Sequence, residues 1–252
     1  MGRAFLVTLA VLLPLAARAD TTCPLPPDFA EAARPLQAVA QGLEGGGLEG
    51  GRREGGTLRI LVLGSASVTG PGATIPEASW PARLEARLAA VYPGRRLEVA
   101  VRGGRGVSVQ DHLALLRQED QAARPHLVIW QLGTVEATRG MDPEEMTEAL
   151  QDGLERIRLR GGDAMLVEPQ FSRFLRANSN MEPYREKLRL AAAGAGAPIF
   201  RRWDVMQHWL EHGGPDLERT PREQRAATMD RLNDCLARAM TELIVQGVRE
   251  AR

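Results

Sequence analysis

The segment Leu58 to Leu63, LRILVL, is an almost unbroken apolar run that ends in the small-residue turn Gly64-Ser65-Ala66-Ser67. A strand without polar alternation needs cover on both faces, which is the condition of a parallel sheet. In open α/β folds chemistry gathers at the carboxyl ends of such strands. Four more short apolar runs follow, at Leu97 to Val101, Leu127 to Leu132, Met165 to Glu168 and Pro198 to Phe200. Between them lie helix-length amphipathic stretches at Trp80 to Tyr92, Ser108 to Ala123, Pro143 to Arg160, Pro183 to Ala193, Trp203 to His212 and Met229 to Val248. The third carries its own boundaries, with Asp142 as N-cap, Pro143 in the first helical position and Gly161 just past the end. Strands alternating with helices imply right-handed βαβ units and an α/β sheet of about five parallel strands.

With 252 residues, 44% of them hydrophobic, the chain can bury one sizeable core. Lys plus Arg and Asp plus Glu both total 32, so no net field favours nucleic acid. Residues 1–19 read as a secretory signal: Arg3 supplies the charge, Ala4 to Leu15 the apolar core, and Ala17-Arg18-Ala19 a cleavage pattern. That apolar run is shorter than the roughly 20 residues that span a bilayer. The expectation is a periplasmic or secreted protein with no membrane span after cleavage. Residues 20–56 form a Pro-rich lead and, from Gln41 to Gly56, a Gly-rich stretch that reads as a flexible surface linker, leaving 57–252 as the main domain. In an oxidising compartment Cys23 and Cys235 are expected to form a disulfide, contributing about 4 to 5 kcal/mol by loop closure; two buried thiols are the alternative.

The stretch TLRILVLGSASVTGPGATIPEASWP resembles the first block of the SGNH (GDSL-type) hydrolases, in a branch reading G-S-S-S-T-x-G-x-G-A and then P-x-A-S-[YW]-P-A-R-L. The likeness continues through Leu127 to Thr134, close to the branch's D-L-V-I-W-Q-V-G-T, through Phe200-Arg201-Arg202-Trp203 to His208-Trp209, and through Cys235-Leu236-Ala237-Arg238. It covers about Leu58 to Met240 and implies a flavodoxin-like three-layer α/β/α sandwich, the SGNH hydrolase fold. Esterases of this family use a serine nucleophile, a histidine base oriented by an aspartate, and an oxyanion hole from the serine amide, a glycine amide and an asparagine side chain.

Carried over position by position, the nucleophile falls on Ala66, the glycine on Gly103, the asparagine on Val135, the aspartate on Gln224 and the histidine on Ala227. Only the glycine is kept. Losing one oxyanion donor alone costs about 2.7 to 4 kcal/mol of transition-state stabilisation, so the resemblance implies a pseudoenzyme. Its remnant pocket, with Ser65, Ser67, Gly103 and Glu136 as candidate binding residues, is expected to hold an acylated carbohydrate, a small ester or an envelope protein partner. The alternatives are a working esterase with Ser67 or Ser65 as relocated nucleophile and a purely structural envelope protein. No cofactor or metal is expected: His208 and His212 stand four residues apart without a third ligand at a diagnostic spacing. His112 and His126 read as surface or capping residues.

Overall fold

The computed structural model describes residues 23–45, 48–49, 52–53, 56–122 and 124–252; the expected signal sequence lies outside them. Two short strands, β1 (Leu48–Glu49) and β2 (Arg52–Arg53), pair antiparallel in a sheet of their own. The main sheet comprises β3 (Thr57–Gly64), β4 (Arg96–Gly103), β5 (Leu127–Gln131), β6 (Asp163–Val167) and β7 (Ile199–Phe200), all parallel, in the order β4-β3-β5-β6-β7. This is the doubly wound order of flavodoxin-like folds. The first strand of the sheet, β3, is internal, with the edge strand β4 on one side and β5 on the other, and the crevice at its carboxyl end is where the chain's winding direction reverses.

The helices are α1 (Gln37–Glu44), α2 (Trp80–Val91), α3 (Val109–Ala122), α4 (Thr134–Arg139), α5 (Pro143–Leu159), α6 (Arg173–Asn178), α7 (Glu182–Ala195), α8 (Arg202–Glu211) and α9 (Arg225–Glu250). α1, α2 and α9 pack on one another over one face of the sheet, while α3, α5 and α7 cover the other. The apolar strands therefore meet helices on both sides, and every residue of β5 is buried. Asp142 caps α5 as expected, its Oδ1 accepting from the Glu144 amide at 2.9 Å.

The lead, read from sequence as separate from the domain, is built into its core. Cys23, Phe29, Leu36, Val39 and Leu43 are all buried there. Several connections hold it, among them the following. Cys23 is disulfide-bonded to Cys235 on α9 (Cα–Cα 6.0 Å), and Arg238 donates to the Cys23 carbonyl. The Leu36 amide donates to the Gly247 carbonyl at 3.0 Å, and Asp163 at the start of β6 accepts from the Val39 amide at 3.0 Å. The expected flexible stretch falls partly on residues outside those described. Its first part, Gln41 to Glu44, is the end of α1, because Leu43 has an apolar surface to bury against.

Candidate functional site

The β3 run ends at Gly64, and the chain turns through a 3-10 segment, Ala66–Thr69, with Ser65 as its N-cap. The turn is tight because β3 and β4 end side by side. Gly64 pairs with Gly103, and a Cβ on Gly103 would overlap the Gly64 carbonyl oxygen, at a φ of +122° that only glycine adopts freely. The one catalytic position of the hydrolase pattern that this chain keeps thus has a packing reason of its own.

Ser65 and Ser67 converge on Gln131, the last residue of β5, which is buried across the switch point. Gln131 Nε2 donates to Ser65 Oγ at 3.1 Å. Its Oε1 accepts from Ser67 Oγ at 2.5 Å and from Arg202 Nη1 at 3.4 Å. Arg202 Nη1 also donates to Ser67 Oγ at 3.0 Å, and Nη2 reaches Gln170 Oε1 at 3.5 Å. Arg202 opens α8 directly after β7, is 3% exposed, and forms no ion pair among the described residues. Burial pulls its pKa down to about 10, so it remains charged at neutral pH.

Ala66, Ser67, Gln170 and Arg202 line one end of a cavity of about 370 Å³. Phe171, Met206, Leu210, Leu217, Met229 and Leu232 form its apolar walls. Ser172, Asp216, Glu218 and Asn233 also line it, and Arg173 engages Asp216 and Glu218 at 2.9 and 3.3 Å.

The remaining expected residues do not assemble here. Val135 is 8% exposed, inside the first turn of α4. Gln224 ends a 3-10 turn, Ala227 opens α9, and both are exposed and outside the cavity lining. Glu136, expected at the mouth, is instead 1% exposed, and its oxygens accept from the Val109 amide at 2.8 Å and the Gly133 amide at 2.9 Å. It ties the start of α4 to the start of α3, leaving nothing for a ligand.

No histidine is a hydrogen-bond partner of Ser65 or Ser67 among the described residues. His112, expected near the surface, is 1% exposed, and its Nδ1 accepts from Trp130 Nε1 at 3.1 Å. His126 Nδ1 accepts from the Arg59 amide at 3.0 Å, far down the strand. His208 and His212 stack on each other with centroids 4.0 Å apart. No group of three or more His, Cys, Asp or Glu side chains is placed to hold a metal among the described residues.

Sequence reasoning missed Gln131, Arg202 and Gln170 as a cluster. The available signals were a lone polar residue closing the strand HLVIWQL and the second arginine of FRRW, whose burial nothing local announces.

Among solved structures, the chain superposes on TesA with a TM-score of 0.57 at 21% identity, covering 73% of this chain and 99% of that one. An acetylxylan esterase from Geobacillus stearothermophilus gives 0.58 at 18%, covering 74% and 94%. A two-domain esterase active on acetylated mannans, co-crystallised with mannopentaose, gives 0.66 at 13%, covering 88% of this chain and 58% of that one. At these identities the likeness is one of fold. A comparison with curated proteins finds no match. The sequence model of the Non-GDSL lipase-like family matches residues 22–250, nearly everything described above, and the chain belongs to that family of SGNH-like hydrolases.

Proposed function

We propose that this is an exported, catalytically inert member of its family that holds an acyl-bearing ligand, an acylated sugar or small ester, beside the first turn without cleaving it. The observation that carries this reading is the destination of the Ser67 proton, which is donated to the amide oxygen of Gln131. A serine becomes a nucleophile when a base takes its proton in the transition state, and a neutral amide oxygen is far too weak a base for that. Ala66 at the family's nucleophile position lines the cavity without a hydroxyl, and the apolar walls beyond it, Phe171, Met206 and Leu217 among them, suit an acyl group at rest. The disulfide and the absence, among the described residues, of a helix long and apolar enough to cross a membrane agree with an exported soluble protein. Acetylated polysaccharide is the ligand chemistry suggested by the esterases named above.

The competing reading is an esterase that uses Ser67. It has one feature in its favour, the Arg202 guanidinium at 3.0 Å from Ser67 Oγ, which would stabilise an alkoxide. It lacks the base.

Purified protein is expected to turn over neither p-nitrophenyl acetate nor butyrate. Turnover well above a heat-killed control, abolished by a fluorophosphonate, would establish the esterase instead. In a thermal-shift series, acetylated xylo-oligosaccharides are expected to raise the melting temperature with concentration while their deacetylated forms do not. A flat response to both, and to other acylated cell-wall fragments, would leave a structural envelope protein.

A further inference from the structure

Arg202 is the one feature of the crevice that the inert-scaffold reading does not use. A guanidinium 3% exposed, with no carboxylate paired to it among the described residues, is costly to keep in a fold. An ion of this kind is normally matched by a counter-charge or fully hydrogen-bonded. Here the bonding is one-sided. Nη1 is engaged by Ser67 and Gln131, Nη2 reaches only Gln170 at 3.5 Å, and Nε has no partner. Nε and Nη2 form the side edge of the guanidinium, the edge that pairs with both oxygens of a carboxylate through two parallel hydrogen bonds.

The cavity that Arg202 lines decides what such an anion carries. Beyond the polar end, its walls are Phe171, Met206, Leu210, Leu217, Met229 and Leu232, so the body of the ligand is apolar. Its volume of about 370 Å³ lies in the range of small-molecule sites. A dianion is disfavoured, because one guanidinium offers a single positive charge while Asp216 and Glu218 line the same cavity with Arg173 as their shared partner. We propose that the cavity is a binding site for an apolar monocarboxylate, whose head group pairs with the Nε/Nη2 edge of Arg202 and whose hydrocarbon body lies along the Phe171–Met206–Leu217 wall. The inference goes beyond the ester-or-sugar reading above by naming an acid, and rests with it on the crevice holding a ligand rather than reacting with it.

The test uses the purified chain with sodium octanoate, octanol and inorganic phosphate as probes, followed by calorimetry and thermal shift. Octanoate is expected to bind and to raise the melting temperature, with octanol and phosphate giving no comparable response. Arg202→Met, which replaces a buried charge by an apolar chain of similar length, is expected to keep its fold and to weaken octanoate binding by about tenfold or more. Should that variant not fold, Met229→Trp fills the cavity and leaves Arg202 in place; it is expected to block octanoate equally. Failure of the wild-type protein to bind octanoate, undiminished binding by Arg202→Met, unchanged binding by Met229→Trp, or phosphate binding as tightly as octanoate would each overturn the proposal. Hydrolysis of p-nitrophenyl octanoate by the same preparation would overturn the inert reading instead, so the two failures are distinct.

Discussion

Arg202 Nη1 donates to Ser67 Oγ at 3.0 Å while the same hydroxyl donates a hydrogen bond to Gln131 Oε1 at 2.5 Å. Both partners are fixed in charge across the neutral range, since an amide does not titrate and burial leaves the Arg202 pKa at about 10. Any trace hydrolysis should therefore show no rise through the histidine range near pH 6.5. A pH–rate profile with an inflection there, lost in Ser67→Ala, would reveal an imidazole acting on this hydroxyl.

His112 makes stability depend on pH. Burial pulls its pKa from 6.5 to about 4, against smaller opposing pulls from the Gly64 carbonyl and Asp111. Between those values the unfolded chain holds a proton on this residue that the folded chain does not, so the unfolded state gains as pH falls. Acidifying through that window should remove about 3 kcal/mol of stability through this group. His112→Gln, which can still accept from Trp130 Nε1, should flatten the slope by a similar amount. Urea titrations across the window decide it, and parallel slopes for the two proteins would contradict the assignment.

The Cys23–Cys235 bond spans 212 residues and joins the lead to α9. A loop of that length contributes about 5 kcal/mol in the chain-entropy account. Removing both cysteines as serines should lower the urea midpoint markedly and free the lead, read as early hydrogen exchange at Val39 and Ala40 in α1. Unchanged exchange there would show that the Leu36 and Asp163 contacts suffice.

The five strands were legible because apolar runs are local signals, and they coincide with the observed strands within a few residues. α4 and α6 were not, each being six residues long and too short to show a helical period. The lead was misread for a different reason: its glycines and prolines are local, whereas Leu36 is held by Gly247 and Val39 by Asp163. The same limit applies to the site. Ala66 and Val135 stand out by comparison with a pattern, but Arg202 meets Ser67 across 135 residues of sequence. Only the strand order brings α8 to the end of β3.

Gly103 separates a catalytic vestige from a packing requirement. Substitution to alanine sets a methyl group against the Gly64 carbonyl at a φ of +122°. The cost should be about 3 kcal/mol or more, from strain and overlap together. Thermal unfolding measures it. A Gly103→Ala protein of wild-type stability would mean that the strand ends yield easily and that the glycine is kept for another reason.

Glu136 separates the two roles a carboxylate can have near a crevice. With both oxygens accepting from backbone amides, at 2.8 Å from Val109 and 2.9 Å from Gly133, it acts as a brace between two helix starts. Glu136→Gln keeps the shape but sets an NH2 group against one of those amides, leaving a buried donor facing a donor. The loss should be about 2 to 3 kcal/mol, since bonds to a charged acceptor are among the stronger ones and an unpaired buried amide carries its own penalty. Ligand affinity, corrected for the folded fraction, should be unchanged, because the side chain does not line the cavity. The reverse outcome, intact stability with weakened binding of octanoate or acetylated sugar, would move Glu136 from the brace to the binding surface.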